Sequence, residues 1–189
     1  AEQFRKYGLE PLGDEEGDYS QKVEIVESNP PSVATASLDD KVFDIKSDLA
    51  YIDGENGIIE GPMMYIEDLT ELETADLKGK VVVTVLGEPR AALMNIDRVK
   101  SMQKRGAIGL IEIFGPDQKF PWSAVARHFN SQKMNLGVID SIEGLPRVWV
   151  NDTTNVLIQK LNKNELQSNA SIKIDGLLKR PVDAYNIVG

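Results

Sequence analysis

The segment 77–114, LKGKVVVTVLGEPRAALMNIDRVKSMQKRGAIGLIEIF, constrains the fold of this chain more than any other. Residues 81–86 form a continuous apolar and β-branched run rich in valine, the composition of a strand covered on both faces. Asn95 reads as the N-cap of the helix that follows, with Ile96, Val99 and Met102 on one face. Gly106 closes that helix as its C′ residue, and residues 107–114 return as a second apolar strand. Two parallel strands joined through a helix require a right-handed crossover, so the segment reads as one βαβ unit. It is not a nucleotide site. The turn Gly87-Glu88-Pro89-Arg90 sets a carboxylate and a proline where bare amides must approach a phosphate, and no GxxxxGKS/T occurs in the chain.

With 189 residues, 41% of them hydrophobic, the chain can bury one good core with appended segments. The absence of cysteine removes disulfides and thiolate zinc sites. No apolar run reaches membrane-spanning length, and no charged-then-apolar signal opens the chain. It begins inside a helix-like segment, AEQFRKYG, so a preceding segment is expected. The net charge of −9 argues against a general nucleic-acid binder. That charge is uneven, −15 over residues 1–76 and +6 over 77–189, as befits a docking face or self-complementary halves. Arg98, Lys100, Lys104 and Arg105 lack interleaved aromatics and read as a solvated helix face.

Elsewhere, residues 2–7 read as the tail of a helix stopped by Gly8, and 19–26 as a strand before the linker Asn29-Pro30-Pro31. The turn Asp53-Gly54-Glu55-Asn56-Gly57 fails the calcium-loop pattern, with Glu55 and Gly57 where Asp or Asn should stand, and reads as a hairpin. Residues 115–135 show no sustained period and are expected to form a long loop. Residues 145–150 read as a strand. In the helix over 151–163, Asp152 or Thr153 is placed as the cap, and Val156, Leu157, Lys160 and Leu161 share a face. Residues 170–178 alternate as a strand, Lys179-Arg180-Pro181 reads as a hinge, and 184–188 as a final strand.

The series DLKGKVVVTV, a helix ending in KRGAIGLIEIF, and GLPRVWVNDTTNVLIQKL resembles a protease-associated (PA) domain over roughly residues 33–175. The flanks AEQFRKYGLEPLGD and YSQKVEIV, with Tyr185-Asn186-Ile187-Val188-Gly189, resemble secreted zinc aminopeptidases related to glutamate carboxypeptidase and the transferrin receptor. This resemblance implies a mixed, β-rich α/β fold. It would be a PA-type swivelling β/β/α domain with a central βαβ unit, plus a short helix and strands of a truncated peptidase domain. The implied division is 1–30 peptidase helix and strand, 31–177 PA domain, and 178–189 return strand. It also implies a secreted or periplasmic setting, zinc held in the missing peptidase domain, and no cofactor in this chain. The implied partners are a peptide substrate or that missing domain, with a homodimer through an exposed sheet edge as a further possibility.

The residues themselves carry no catalytic or metal assignment. A co-catalytic zinc site needs several His and Asp/Glu ligands, and His128 is the chain's single histidine. Ser123, His128 and Asp117 share one segment without the architecture of a triad, and no GxSxG appears. The pairs Asp39-Asp40 and Glu67-Asp68 read as exposed. Binding is the more informative possibility. Phe120, Trp122 and Phe129, with Arg127 and His128, are residue types enriched at interfaces and form the candidate peptide or protein contact. Phe120 and Phe129 are the first choices to plug the end of the sheet, whereas Trp122 suits packing and contact equally. Trp149 reads as packing. Of the sequons at Asn151 and Asn169, the first also suits a strand-to-helix turn. The reading is a non-catalytic domain that shapes substrate access or mediates contacts. The alternatives are a stand-alone PA-type interaction or sorting module, or the accessory domain of a subtilisin-like protease.

Overall fold

A computed structural model describes residues 2–16, 18–94, 96–136, 144–163, 165–166 and 169–187. It is a mixed, β-rich α/β fold, with eleven strands and five α-helices among the described residues. The chain divides into two compact units. One comprises Ala1–Asn29, Gln132–Ser141 and Leu178–Gly189, and the other Pro30–Ser131 and Ile142–Leu177.

The first unit holds helix α1 (Glu2–Lys6) and strand β1 (Ser20–Asn29). Strands β8 (Lys133–Leu136) and β11 (Leu178–Ile187) flank β1 in an antiparallel sheet ordered β11-β1-β8. β1 and β11 pair along their whole lengths, from Ser20↔Ile187 to Asn29↔Leu178. The expected hinge Lys179-Arg180-Pro181 is therefore wrong: these residues lie inside β11, with Pro181 opposite Val26 on a strand at the sheet's edge, where a proline is tolerated. Tyr19 is buried and donates its hydroxyl to the Leu9 carbonyl at 2.6 Å.

The second unit is built on one sheet. Its strands are β2 (Val33–Leu38), β3 (Lys41–Asp44), β4 (Leu49–Asp53), β5 (Gly57–Ile66), β6 (Val81–Val85), β7 (Gly109–Phe114), β9 (Arg147–Asn151) and β10 (Asn169–Asp175). They run in the order β3-β2-β10-β5-β6-β7-β9-β4. β5, β6, β7 and β9 are parallel and the other pairings antiparallel. The βαβ unit is present, its crossover formed by α2 (Pro89–Met94) and α3 (Ile96–Lys104). Asn95, the expected cap, lies outside the described residues. Gly106 takes φ 87°, the left-handed conformation a C′ glycine supplies. The carboxylate of Glu88 accepts from the Ala91 amide at 2.8 Å, so the start of α2 is occupied by a side chain of its own.

Every residue of β7 is buried, as a strand covered on both faces requires. Val81, Val83, Ile111, Ile113, Val148 and Val150 face the largest apolar cluster, together with Leu157 and Leu161 from α5 (Val156–Asn162). Val82 and Leu110 face the opposite way and pack with Met102 of α3. Val156, expected on the buried face of α5, is 52% exposed. Asp152 is nearly solvent-free, and its two carboxylate oxygens accept from the amides of Val156 and Ile158 at 3.0 and 2.8 Å. Asn155, left-handed at φ 61°, holds the N-cap position without a side-chain bond, and Asp152, three residues earlier, supplies the carboxylate that caps α5.

Two further expectations fail. Residues 53–57 do not form a hairpin, because β4 pairs with β9 while β5 lies between β10 and β6. Asn56 instead acts as a backbone mimic, donating to the Leu177 carbonyl at 3.1 Å and accepting from its amide at 2.9 Å. The expected loop over 115–135 contains helix α4 (Trp122–Phe129) and strand β8. Trp122, Val125 and Phe129 recur at helical spacing and turn one face of α4 inward, a period too short to stand out in a polar surrounding.

Candidate functional site

The parallel strands β6, β7 and β9 end on a common side of the second unit, the place where α/β sheets present loops to ligands. The loop 115–121 and helix α4 follow β7 there. Pro121, with extended backbone at φ −69° and ψ 141°, stands at the N-cap of α4. Its ring fixes φ and leads directly into the helix. Trp122 donates its indole N–H to the Ser47 carbonyl at 3.0 Å and meets Phe114 edge-to-face at 5.4 Å. At the other end, Phe129 packs edge-to-face on Trp149 at 5.0 Å. Asn130, just beyond the helix, accepts from the Tyr51 amide at 2.9 Å and donates to the carbonyls of Leu49 and Ile45 at 2.8 and 3.2 Å. One asparagine thereby ties α4 to β4 and the turn before it.

These contacts divide the five candidate residues. Trp122 and Phe129 belong with the buried cluster around Trp149, Phe114 and Val125. Phe120, expected to plug the sheet, is 58% exposed. Arg127 and His128 are exposed in the last turn of α4, where positive charge complements the helix dipole. An eight-residue helix is about 12 Å long, so Phe120 and the Arg127–His128 pair sit at opposite ends of it. Phe120 lines a shallow cleft of about 320 Å³ with Leu86, Pro89, Glu88, Asp117 and Lys119. Gln118 braces that cleft by donating to the carbonyls of Leu86 and Gly87 at 2.8 and 3.1 Å.

A second arrangement went unseen in the sequence. Glu112, in the middle of β7, is fully buried. Its Oε2 accepts from Arg147 Nε and Trp149 Nε1, both at 2.7 Å, and its Oε1 accepts from Arg98 Nη2 at 2.9 Å. Arg147 also donates to the Ala92 carbonyl at 3.1 Å. The carboxylate therefore joins β7 to β9 and α3 through three donors, and Arg147 extends the tie to α2. Trp149 is packed, as its alternation suggested, and is also one of those donors. Beside it in register, Thr84 is buried on β6. A charge inside an otherwise apolar strand was the available signal. Glu112 and Arg147 are the charges within GLIEIF and RVWV, and buried charges of opposite sign seek each other.

Among the described residues, no group of three His, Cys, Asp or Glu side chains is placed to hold a metal ion. His128 is exposed, with its ring edge-to-face on Phe129 at 4.9 Å. These residues do not fit a zinc site, and no chemical step is assigned through one.

No family model matches the sequence, and no curated protein matches it. Solved structures do match the fold. An aminopeptidase from Aneurinibacillus sp. strain AM-1 superposes over 97% of this chain and 39% of its own, with a TM-score of 0.59 and 14% identity. A peptidase M28 precursor from Shewanella amazonensis SB2B matches over 89% of this chain and 39% of its own, with a TM-score of 0.52 and 15% identity. The chain has the fold of a part of these peptidases. It spans well under half the length of either.

Proposed function

We propose that residues 31–177 form a protease-associated domain, flanked at 1–30 and 178–189 by segments of a zinc-dependent aminopeptidase. Its role is non-catalytic. It shapes substrate access or holds peptide and protein contacts, in a secreted or periplasmic protein whose zinc lies outside these residues.

One observation carries the reading. β1 and β11 pair from end to end, and the chain between them, apart from residues 132–141 that lie with this sheet, builds a separate compact unit. This pairing supports the reading of an insertion into a host domain. The likeness of almost the whole chain to a 39% portion of an aminopeptidase supports it. The surface offered for contact is the exposed edge of α4 and its preceding loop, with Phe120, Arg127 and His128 outward and Trp122 and Phe129 as anchors.

The test compares the 1–189 chain with the full product of its gene, each assayed with zinc on an aminoacyl p-nitroanilide. The longer protein is expected to hydrolyse it and the 1–189 chain to be inert. Turnover by the 1–189 chain, or a gene that ends near Gly189, would overturn the proposal.

A further inference from the structure

Asn56-Gly57 is the chain's single Asn-Gly pair, and it stands where β5 begins. Such a pair sets a carboxamide beside the least hindered backbone amide a chain can offer, since glycine has no Cβ to block an approach to its nitrogen. Both residues are exposed. Nothing in the fold asks for glycine at 57. Its φ is not positive, it pairs with Ile174 in ordinary register, and an added Cβ would meet no atom within 4 Å. Gly54 differs: at φ 120°, with the Pro146 Cα 2.9 Å from an added Cβ, its backbone requires glycine.

Asn56 has a structural task as well. Its Nδ2 donates to the Leu177 carbonyl at 3.1 Å, and its Oδ1 accepts from the Leu177 amide at 2.9 Å. Leu177 is the last residue before β11, and its side chain lies in the largest apolar cluster. Just ahead of it, Gly176 takes φ 72°, and the Ser32 hydroxyl donates to the Asp175 carbonyl at 3.3 Å. Two side chains therefore tie the segment that leaves the second unit, and Asn56 holds it through both a donor and an acceptor.

We propose that Asn56 is a deamidation site and that its reaction releases this tie. The Gly57 amide nitrogen gives its proton to base and bonds to Cγ of Asn56. The Cγ–Nδ2 bond breaks, ammonia leaves, and a succinimide ring remains. Water opens the ring at either carbonyl, to aspartate or isoaspartate. One water is taken up and one ammonia released, and nothing is oxidised or reduced. Both products lack the Nδ2 donor, so the Leu177 carbonyl is left facing a carboxylate, acceptor against acceptor. Isoaspartate also adds a methylene to the main chain directly ahead of β5. The tie slows the reaction, because ammonia cannot leave without breaking the bond that its nitrogen makes to Leu177.

Incubation of the 1–189 chain at mildly alkaline pH, followed by peptide mass spectrometry that separates aspartate from isoaspartate, tests this. Both products are expected at position 56 before any other asparagine converts, and more slowly in the folded chain than in urea. Gly57→Ala is expected to keep the wild-type Tm and to abolish the conversion over the same incubation. Asn56→Asp, the product made directly, should lower the Tm by about 2–4 °C, the shift that loss of one hydrogen bond gives a chain of this size. Conversion confined to the unfolded chain would overturn the site. Undiminished conversion in Gly57→Ala would rule out attack by the residue-57 amide. An Asn56→Asp protein with the wild-type Tm would overturn the tie to Leu177.

Discussion

Arg147 on β9 and Glu112 on β7 form an ion pair at 2.6 Å, with only 6% and 1% of their side chains exposed. Breaking such a pair from one side leaves charge in a medium that solvates it poorly. Glu112→Ala strands the Arg147 guanidinium and unties Arg98. It is expected to lower stability by about 3–5 kcal/mol, read from the urea midpoint at constant m. Replacing Glu112, Arg98 and Arg147 together by Leu, Met and Met should recover most of that loss. A single-variant loss below about 1 kcal/mol would show that the network does not hold the crossover to the sheet.

Asp152 tests the cap on α5. Two amides end on its carboxylate, and the side chain has almost no contact with water. Asp152→Ala is expected to lower stability by about 1–2 kcal/mol, and Asp152→Asn by less, because the amide oxygen still accepts. Thermal unfolding followed at 222 nm measures both. Thr153→Ala serves as the control and should leave the Tm unchanged.

Tyr51 sets an alkaline limit. Burial, reinforced by the charges of Asp53 and Glu55, raises its pKa above the ordinary 10.0, and its hydroxyl donates to the Gly54 carbonyl at 2.6 Å. A pKa raised on folding contributes stability that is fully present below the unfolded value and is lost as pH rises towards the folded one. Stability should therefore decline above about pH 10. Tyr51→Phe is expected to be less stable at pH 7 by about 1 kcal/mol, yet to show a shallower decline between pH 10 and 11. Parallel declines for the two proteins would assign the effect to other groups.

The βαβ unit was legible because its signals are local: a valine run, a helical period and a glycine at the helix end. β4 and β5 misled for the opposite reason. A Gly-rich turn predicts a reversal of direction but says nothing about partners, and β4 finds its partner almost a hundred residues away in β9. α4 was hidden by its length, since Trp122, Val125 and Phe129 amount to two turns. The pairing of β1 with β11 spans nearly the whole chain, and only the flanking resemblance hinted at it. At the candidate site the orientation of Trp122 depends on Ser47 and Phe114, which no spacing connects to it.

That orientation separates Trp122 from Phe120 experimentally. Trp122→Ala removes the bond to Ser47 and the contact with Phe114 and is expected to lower stability by about 2 kcal/mol. Phe120 makes its contribution, if peptide binds here, from a ring that is 58% exposed. Phe120→Ala should shift stability by less than about 0.5 kcal/mol. In the full gene product, Phe120→Ala is then expected to raise KM for a hexapeptide several-fold while leaving KM for an aminoacyl p-nitroanilide unchanged. On the proposed reading, only the longer substrate would extend to the loop 115–121. A Phe120→Ala protein with unaltered KM for both substrates would remove the loop 115–121 from substrate contact and leave α4 as packing alone.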